Sequence, residues 1–168
     1  MTLRYKLPLR GIKGACLRHI ILFCLCFSLM GGAASGVEIM IPHLRVKQGK
    51  SFDIPIIIDR ADNLAGIKLV IAYDKGLLTF KEGNPSKSTR SLMCVINDKN
   101  PGRLIVVMAG AKGVSGKDLP LVILSFEANK VAKETVSTRL DILEYQLMSD
   151  QLKEVKGTVV VKPLDIIP

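Results

Sequence analysis

"GIKLVIAYDKGLLTF", residues 66–80, opens as an alternating strand and passes through a short polar turn into a second apolar run. Ile67, Leu69, Ile71 and Tyr73 share one parity, Lys68, Val70 and Ala72 the other. Period-two spacing is that of a β-strand, because successive side chains leave opposite faces. Here the second face is nearly as apolar as the first. Residues 103–109 repeat the pattern, with Leu104, Val106 and Met108 on one parity and Ile105, Val107 and Ala109 on the other. An antiparallel strand whose outer face meets water usually alternates apolar with polar. A contiguous apolar outer face needs a cover: another part of the same chain, a second copy, or a separate partner.

From Val37 onward, nine segments read as strands: Val37 to Val46, Phe52 to Asp59, Gly66 to Tyr73, Leu77 to Glu82, Leu92 to Asn97, Arg103 to Ala109, Leu121 to Ala128, Ser137 to Tyr145 and Val155 to Lys162. Gly, Pro, Asn and Asp separate them in "KQGK", "RADNLAG", "EGNPSKS" and "NDKNPG", each residue type suited to turns for its own stereochemical reason. "ANKVAKETV" leaves room for one short helix. The expectation is an all-β fold, a nine-stranded antiparallel β-sandwich with jelly-roll topology. Pro55 lacks a ladder donor and belongs at an edge or bulge.

Residues 1–35 differ from the rest. Arg4, Lys6, Arg10, Lys13 and Arg18 precede the apolar run Ile20 to Met30, which small residues follow. This is the order of a secretory signal peptide, and the run is well short of the roughly 20 residues that span a bilayer. An uncleaved anchor is the alternative. The expected organisation is a leader at 1–35, a sandwich at 36–162 and a short tail at 163–168. Removing five of 24 basic residues with the leader leaves 19 against 15 acids, a net charge of +4 in place of +9. The remainder reads as a solvated, mildly basic surface, without the basic runs and stacking aromatics of a nucleic-acid site. Three of the four cysteines leave too, so Cys94 has no internal disulfide partner. About 133 residues can bury roughly two thirds of their unfolded surface, enough for stability without a disulfide.

Catalytic chemistry finds little support. Only His43 and Cys94 remain as a nucleophile-and-base pair, and nothing in their spacing brings them together. Cys94 lies mid-strand in "LMCVI" and reads as a buried, inert thiol. "GAKGVSGKD" imitates a phosphate-binding loop but has five residues between the glycines and Asp118 where Ser or Thr should stand. It reads instead as a flexible, glycine-bearing connection. Asp59, Asp62 and Asn63, like Asn97, Asp98 and Asn100, lack the spacing of a calcium loop and suit Asx turns. No cofactor and no metal are expected. The mature chain has no Trp; Phe52, Tyr73, Phe80 and Phe126 fall on inward positions, which leaves Tyr145 as one unassigned platform for a sugar.

"VKQGKSFDIPIII", "LAGIKLVIAYDKGLLTF", "NPGRLIVVMAGAKGVSGKDLPLVILSFEA" and "KGTVVVK" resemble, in order, successive blocks of a cohesin domain from about Val37 to Lys162. The resemblance implies a nine-strand jelly-roll sandwich and a secreted, non-enzymatic adhesion module. Such a module binds a dockerin of another exported protein, with any calcium held on the partner side. Extracellular polysaccharide degradation or surface assembly is the implied setting, in an extracellular or periplasmic location. In cohesins the third and sixth strands belong to the sheet that meets dockerin, which assigns partner binding to Lys68, Val70, Ala72, Ile105 and Val107. Gly66 and Lys68 stand where many cohesins place small polar or acidic residues, so the partner's hydrogen-bonding surface would differ. The alternatives are a carbohydrate-binding module of related fold, self-association, or cover of this face by the tail "PLDIIP".

Overall fold

A computed structural model describes residues 36–130 and 134–168; the expected leader and part of "ANKVAKETV" lie outside the described residues. Among those described there are ten strands and no helix. They are β1 (Val37–Ile41), β2 (Leu44–Lys47), β3 (Ser51–Ala72), β4 (Leu78–Pro85), β5 (Met93–Asn97), β6 (Arg103–Ala128), β7 (Val136–Thr138), β8 (Asp141–Ser149), β9 (Gly157–Val161) and β10 (Leu164–Ile167).

The strand count differs from nine for local reasons. Pro42 and His43 divide the first expected strand into β1 and β2, since proline cannot donate to a ladder. The second and third expected strands are one continuous strand, β3, and the sixth and seventh are one strand, β6, whereas the eighth is two, β7 and β8, parted at Arg139 and Leu140. Turn-forming residues in "RADNLAG" and "GAKGVSGKDLP" concealed both continuities. The tail at 163–168 is not a tail: Leu164 and Ile166 enter the core from β10, 3 % and 1 % exposed. Four residues are too short for alternation to announce a strand.

β3 and β6 pair antiparallel along nearly their whole length, with register shifts between Ala61 and Gly66. Those shifts divide the pair between two leaves. Residues 51–61 of β3 and 116–127 of β6 lie in the order β9-β1-β3-β6-β4. Residues 64–72 of β3 and 103–109 of β6 lie in the order β8-β3-β6-β5. The crossing between leaves is tight. A Cβ on Gly113 would lie 2.2 Å from the Asn63 carbonyl carbon, and the Asn63 amide donates to Ser115 Oγ at 2.8 Å. "GAKGVSGKD" is therefore built into β6 rather than being a flexible connection, and Gly113 serves close approach of two backbones.

The pairing is not wholly antiparallel. β1 runs parallel to β9, and β2 parallel to β10 in a small β2-β10-β7 sheet. Side-chain alternation is blind to strand direction. Pro55 sits just before a register irregularity at Ile56/Ile57, a place where a missing donor costs little.

Ile54, Ile56 and Ile58 from one leaf meet Ile67, Leu69, Ile71, Leu104 and Val106 from the other in a single core. Each such side chain contributes roughly 1.5–3 kcal/mol by leaving water. Phe126 is fully buried, with Phe52, Tyr73 and Phe80 around it at ring-centroid distances of 6.3, 5.1 and 5.4 Å.

Candidate functional site

The outer face of the β8-β3-β6-β5 leaf is assembled from cross-strand partners, which share a face in an antiparallel sheet. Three rows run across it: Glu144, Val70, Ile105 and Asn97; Gln146, Lys68, Val107 and Val95; Met148, Gly66, Ala109 and Met93. A fourth, shorter row holds Asp141, Ala72 and Arg103. Four strands about 4.8 Å apart make a face roughly 14 Å wide, ample for an α-helix about 10 Å across.

The register gathers Lys68, Val70, Ala72, Ile105 and Val107 on this one face, but their environments differ. Val107 is 42 % exposed, while Val70 is 2 % exposed and still outside the main core cluster. Its neighbours on the sheet are Glu144 and Ile105 across the strands and Lys68 and Ala72 along its own. Val70 is thus a packed floor of the outer layer rather than an open contact, and the expectation that it stands free there is corrected. Lys68 lies on a central strand and donates to Glu144 Oε1 on β8 at 2.6 Å.

Two more exposed positions on this face, Met93 and Val95, were not singled out from sequence. They are 70 % and 55 % exposed on β5. Alternation in "LMCVIN" carries the signal, since Cys94 and Ile96 pack on the core and the intervening residues point out. Together with Val107 they place three of the five exposed large hydrophobic residues among the described residues on one half of one face, while a fourth, Leu143, is exposed on β8. The β10 tail does not cover it, because that segment is spent on the β2-β10-β7 sheet. The face therefore divides into an apolar half on β5 and β6 and a half on β3 and β8 carrying an ion pair.

A family model described as Cohesin domain matches residues 37–163, more than half of the chain. This chain belongs to the cohesin family. Its fold is similar to a non-cellulosomal cohesin from the archaeon Archaeoglobus fulgidus, at TM-score 0.71 and 18 % identity over 80 % of this chain and 93 % of that one. It is also similar to the sixth cohesin of Acetivibrio cellulolyticus scaffoldin B, solved in complex with a Cel5 dockerin, at TM-score 0.70 and 16 % identity over 79 % and 99 % of the two chains. A cohesin module from a Clostridium perfringens family 33 glycoside hydrolase aligns at TM-score 0.66 and 15 % identity over 80 % and 98 %. No curated protein sequence matches this chain.

In this cohesin the remaining candidates resolve into structural roles. Tyr145 lies opposite Leu69, packs against the core and donates its hydroxyl to the Gly157 carbonyl; it is no open platform for a sugar ring. Cys94 is half-buried in β5, and burial pushes its thiol pKa up, away from the reactive thiolate. His43 Nε2 lies 3.0 Å from Asp165 Oδ2, and Ser137 Oγ donates to Asp165 Oδ1 at 2.9 Å. First the His43 contact and then the Ser137 hydroxyl hold the Asp165 carboxyl below its usual range. The hydroxyl is bonded to the carboxylate rather than the imidazole, which is not the order that activates a nucleophile; the trio ties β10 to its neighbours. Asn97 Oδ1 accepts the Lys99 amide at 3.1 Å, an Asx turn. Among the described residues, no three His, Cys, Asp or Glu side chains gather as a metal site.

Proposed function

We propose that this cohesin is an exported, non-catalytic docking module whose β8-β3-β6-β5 face receives a calcium-loaded dockerin of another exported protein. The leader-like residues 1–35 support export, and the setting would be extracellular polysaccharide degradation or surface assembly. One observation carries the reading: Met93, Val95 and Val107 stand together in solvent, 70 %, 55 % and 42 % exposed, on one half of a single face. Stranded apolar side chains of this kind mark an interface. Relatives of the same fold are described in complex with dockerins, including modules from Acetivibrio cellulolyticus and Clostridium thermocellum. The centre of contact lies at Val95, Val107 and Ile105, with Lys68 and Ala72 on its border and Val70 beneath.

The test is isothermal titration of the protein with a panel of calcium-loaded dockerin modules, with and without chelator. The reading expects at least one to bind in calcium, and Val107→Glu to remove that binding while the thermal melt is kept. A protein that binds no member of the panel, or whose Val107→Glu form binds undiminished, would overturn it.

A further inference from the structure

The charge on the same face is unevenly distributed. Lys68 and Glu144 neutralise each other within it. The β5 corner is different. Arg90 and Lys87 are exposed on the turn that leads into β5. That turn is held rigidly from below: Ser86 and Thr89 are 4 % and 0 % exposed, and their hydroxyls donate to the Pro120 and Leu121 carbonyls.

Lys112 is exposed on the stretch of β6 between Ala109, which pairs with Gly66 and Met93, and Val114, which pairs with Leu64. Leu92 joins the two elements: a Cβ on Gly110 would sit 2.6 Å from Leu92 Cδ2 and 3.4 Å from the Lys112 carbonyl. Thus three cations border the end of the face where Met93 is most exposed. None of them has an ion-pair partner among the described residues. The carboxylates of Asp62 and Asp150 belong to the crossing next to Lys112, since Asn63, which packs against Gly113, donates its side-chain amide to Asp62 and accepts the Asp150 amide at its carbonyl, but neither carboxylate forms an ion pair with Lys112.

We infer that the partner of this face is a dockerin whose apolar helix carries Asp or Glu at the end that lies over the Arg90 and Lys112 corner. The inference rests on the docking function proposed above and adds the partner's charge and orientation to it. An apolar helix surface covers Val95, Val107 and Met93, and an acidic end meets the cations that form no ion pair among the described residues. Charges at the border of an interface act chiefly on encounter rate and on discrimination between partners. They act through screened Coulomb attraction, which fades as the Debye length falls from roughly 10 Å at 0.1 M salt to 3 Å at 1 M. The apolar half supplies adhesion and the corner supplies choice.

The experiment measures association by surface plasmon resonance on the full-length protein. The probes are one calcium-loaded dockerin with Asp or Glu at that helix end and the same module with those residues changed to Lys. At about 0.1 M salt the acidic form should associate roughly tenfold faster, the gap should close toward 1 M, and the Arg90→Glu, Lys112→Glu double variant should reverse the order. Equal association of both forms with both proteins, while Val107→Glu still abolishes binding, overturns this inference and leaves the docking function standing. Absence of binding by either form and by the wider dockerin panel overturns both.

Discussion

Val70 and Val107 lie on the same face of the same leaf, yet replacing each with glutamate should have opposite consequences. Val70 is 2 % exposed and Val107 42 % exposed. Val70→Glu gives up the roughly 1.5–3 kcal/mol of a buried valine and inserts a carboxylate directly across from Glu144. The nearest cation, Lys68, is already held by Glu144 at 2.6 Å. A buried charge without a free partner costs about 3–5 kcal/mol, a large share of the 5–15 kcal/mol that holds a domain together. Val107→Glu leaves its carboxylate in water beside Lys68, its cross-strand partner, and should cost about 1 kcal/mol or less. Urea denaturation followed by circular dichroism separates the two. With a slope of about 1.5–2 kcal/mol per molar, the Val70→Glu midpoint should fall by roughly 2 M and that of Val107→Glu by no more than about 0.5 M. Equal midpoints for the two variants would show that the outer layer is not packed as described, and the distinction between floor and contact would be lost.

Two further outcomes follow from the small sheet. Ile166→Ala in β10 removes a side chain that is 1 % exposed and should cost about 2–5 kcal/mol, read as a lower urea midpoint; an unchanged midpoint would mean that 163–168 is a dispensable tail after all. Asp165 has its carboxyl pKa lowered in the folded state, first by His43 and then by Ser137, so its stabilisation is present above the ordinary carboxylate range and lost as pH falls through the folded value. Asp165→Asn should therefore lose less stability than the native protein as pH falls below the ordinary carboxylate range, and parallel acid profiles for the two would contradict the contact.

The parity of "IKLVIAY" and "LIVVMAG" was enough to find the face, because alternation reports which side of a strand a residue leaves. It could not report depth. Val70 and Val107 have the same parity pattern and chemistry, and only the neighbours supplied by β8 and β5 bury one and leave the other in water. Met93 and Val95 were legible in "LMCVIN" by the same rule. Strand continuity was hidden because Asn, Asp and Gly in "RADNLAG" signal a turn equally well whether the chain reverses or twists from one leaf into the other. Asn63, at φ 50°, marks such a twist. The parallel pairs β1-β9 and β2-β10 join segments far apart in sequence, and no local pattern encodes which distant strand will lie alongside. The corner cations were legible only as residue types, since Lys112 and Arg90 come together through the pairing of β5 with β6.

The sharing of β3 and β6 between both leaves bears directly on recognition. The two strands at the centre of the candidate face are the same two that carry Ile54, Ile56, Leu124 and Phe126 into the opposite leaf. The outer residues of 64–72 and 103–109 therefore cannot shift without disturbing a core whose side chains are almost wholly removed from water. A face held this firmly gives up little conformational freedom when a partner arrives, and the ordering cost of association falls accordingly. Its β5 border, fixed from below by Ser86 and Thr89, extends the same rigidity to the turn bearing Arg90. A half-apolar surface built on core strands, with cations at one corner that form no ion pair among the described residues, holds its charge in a set place, and charge placement is one means by which an interface penalises the wrong partner.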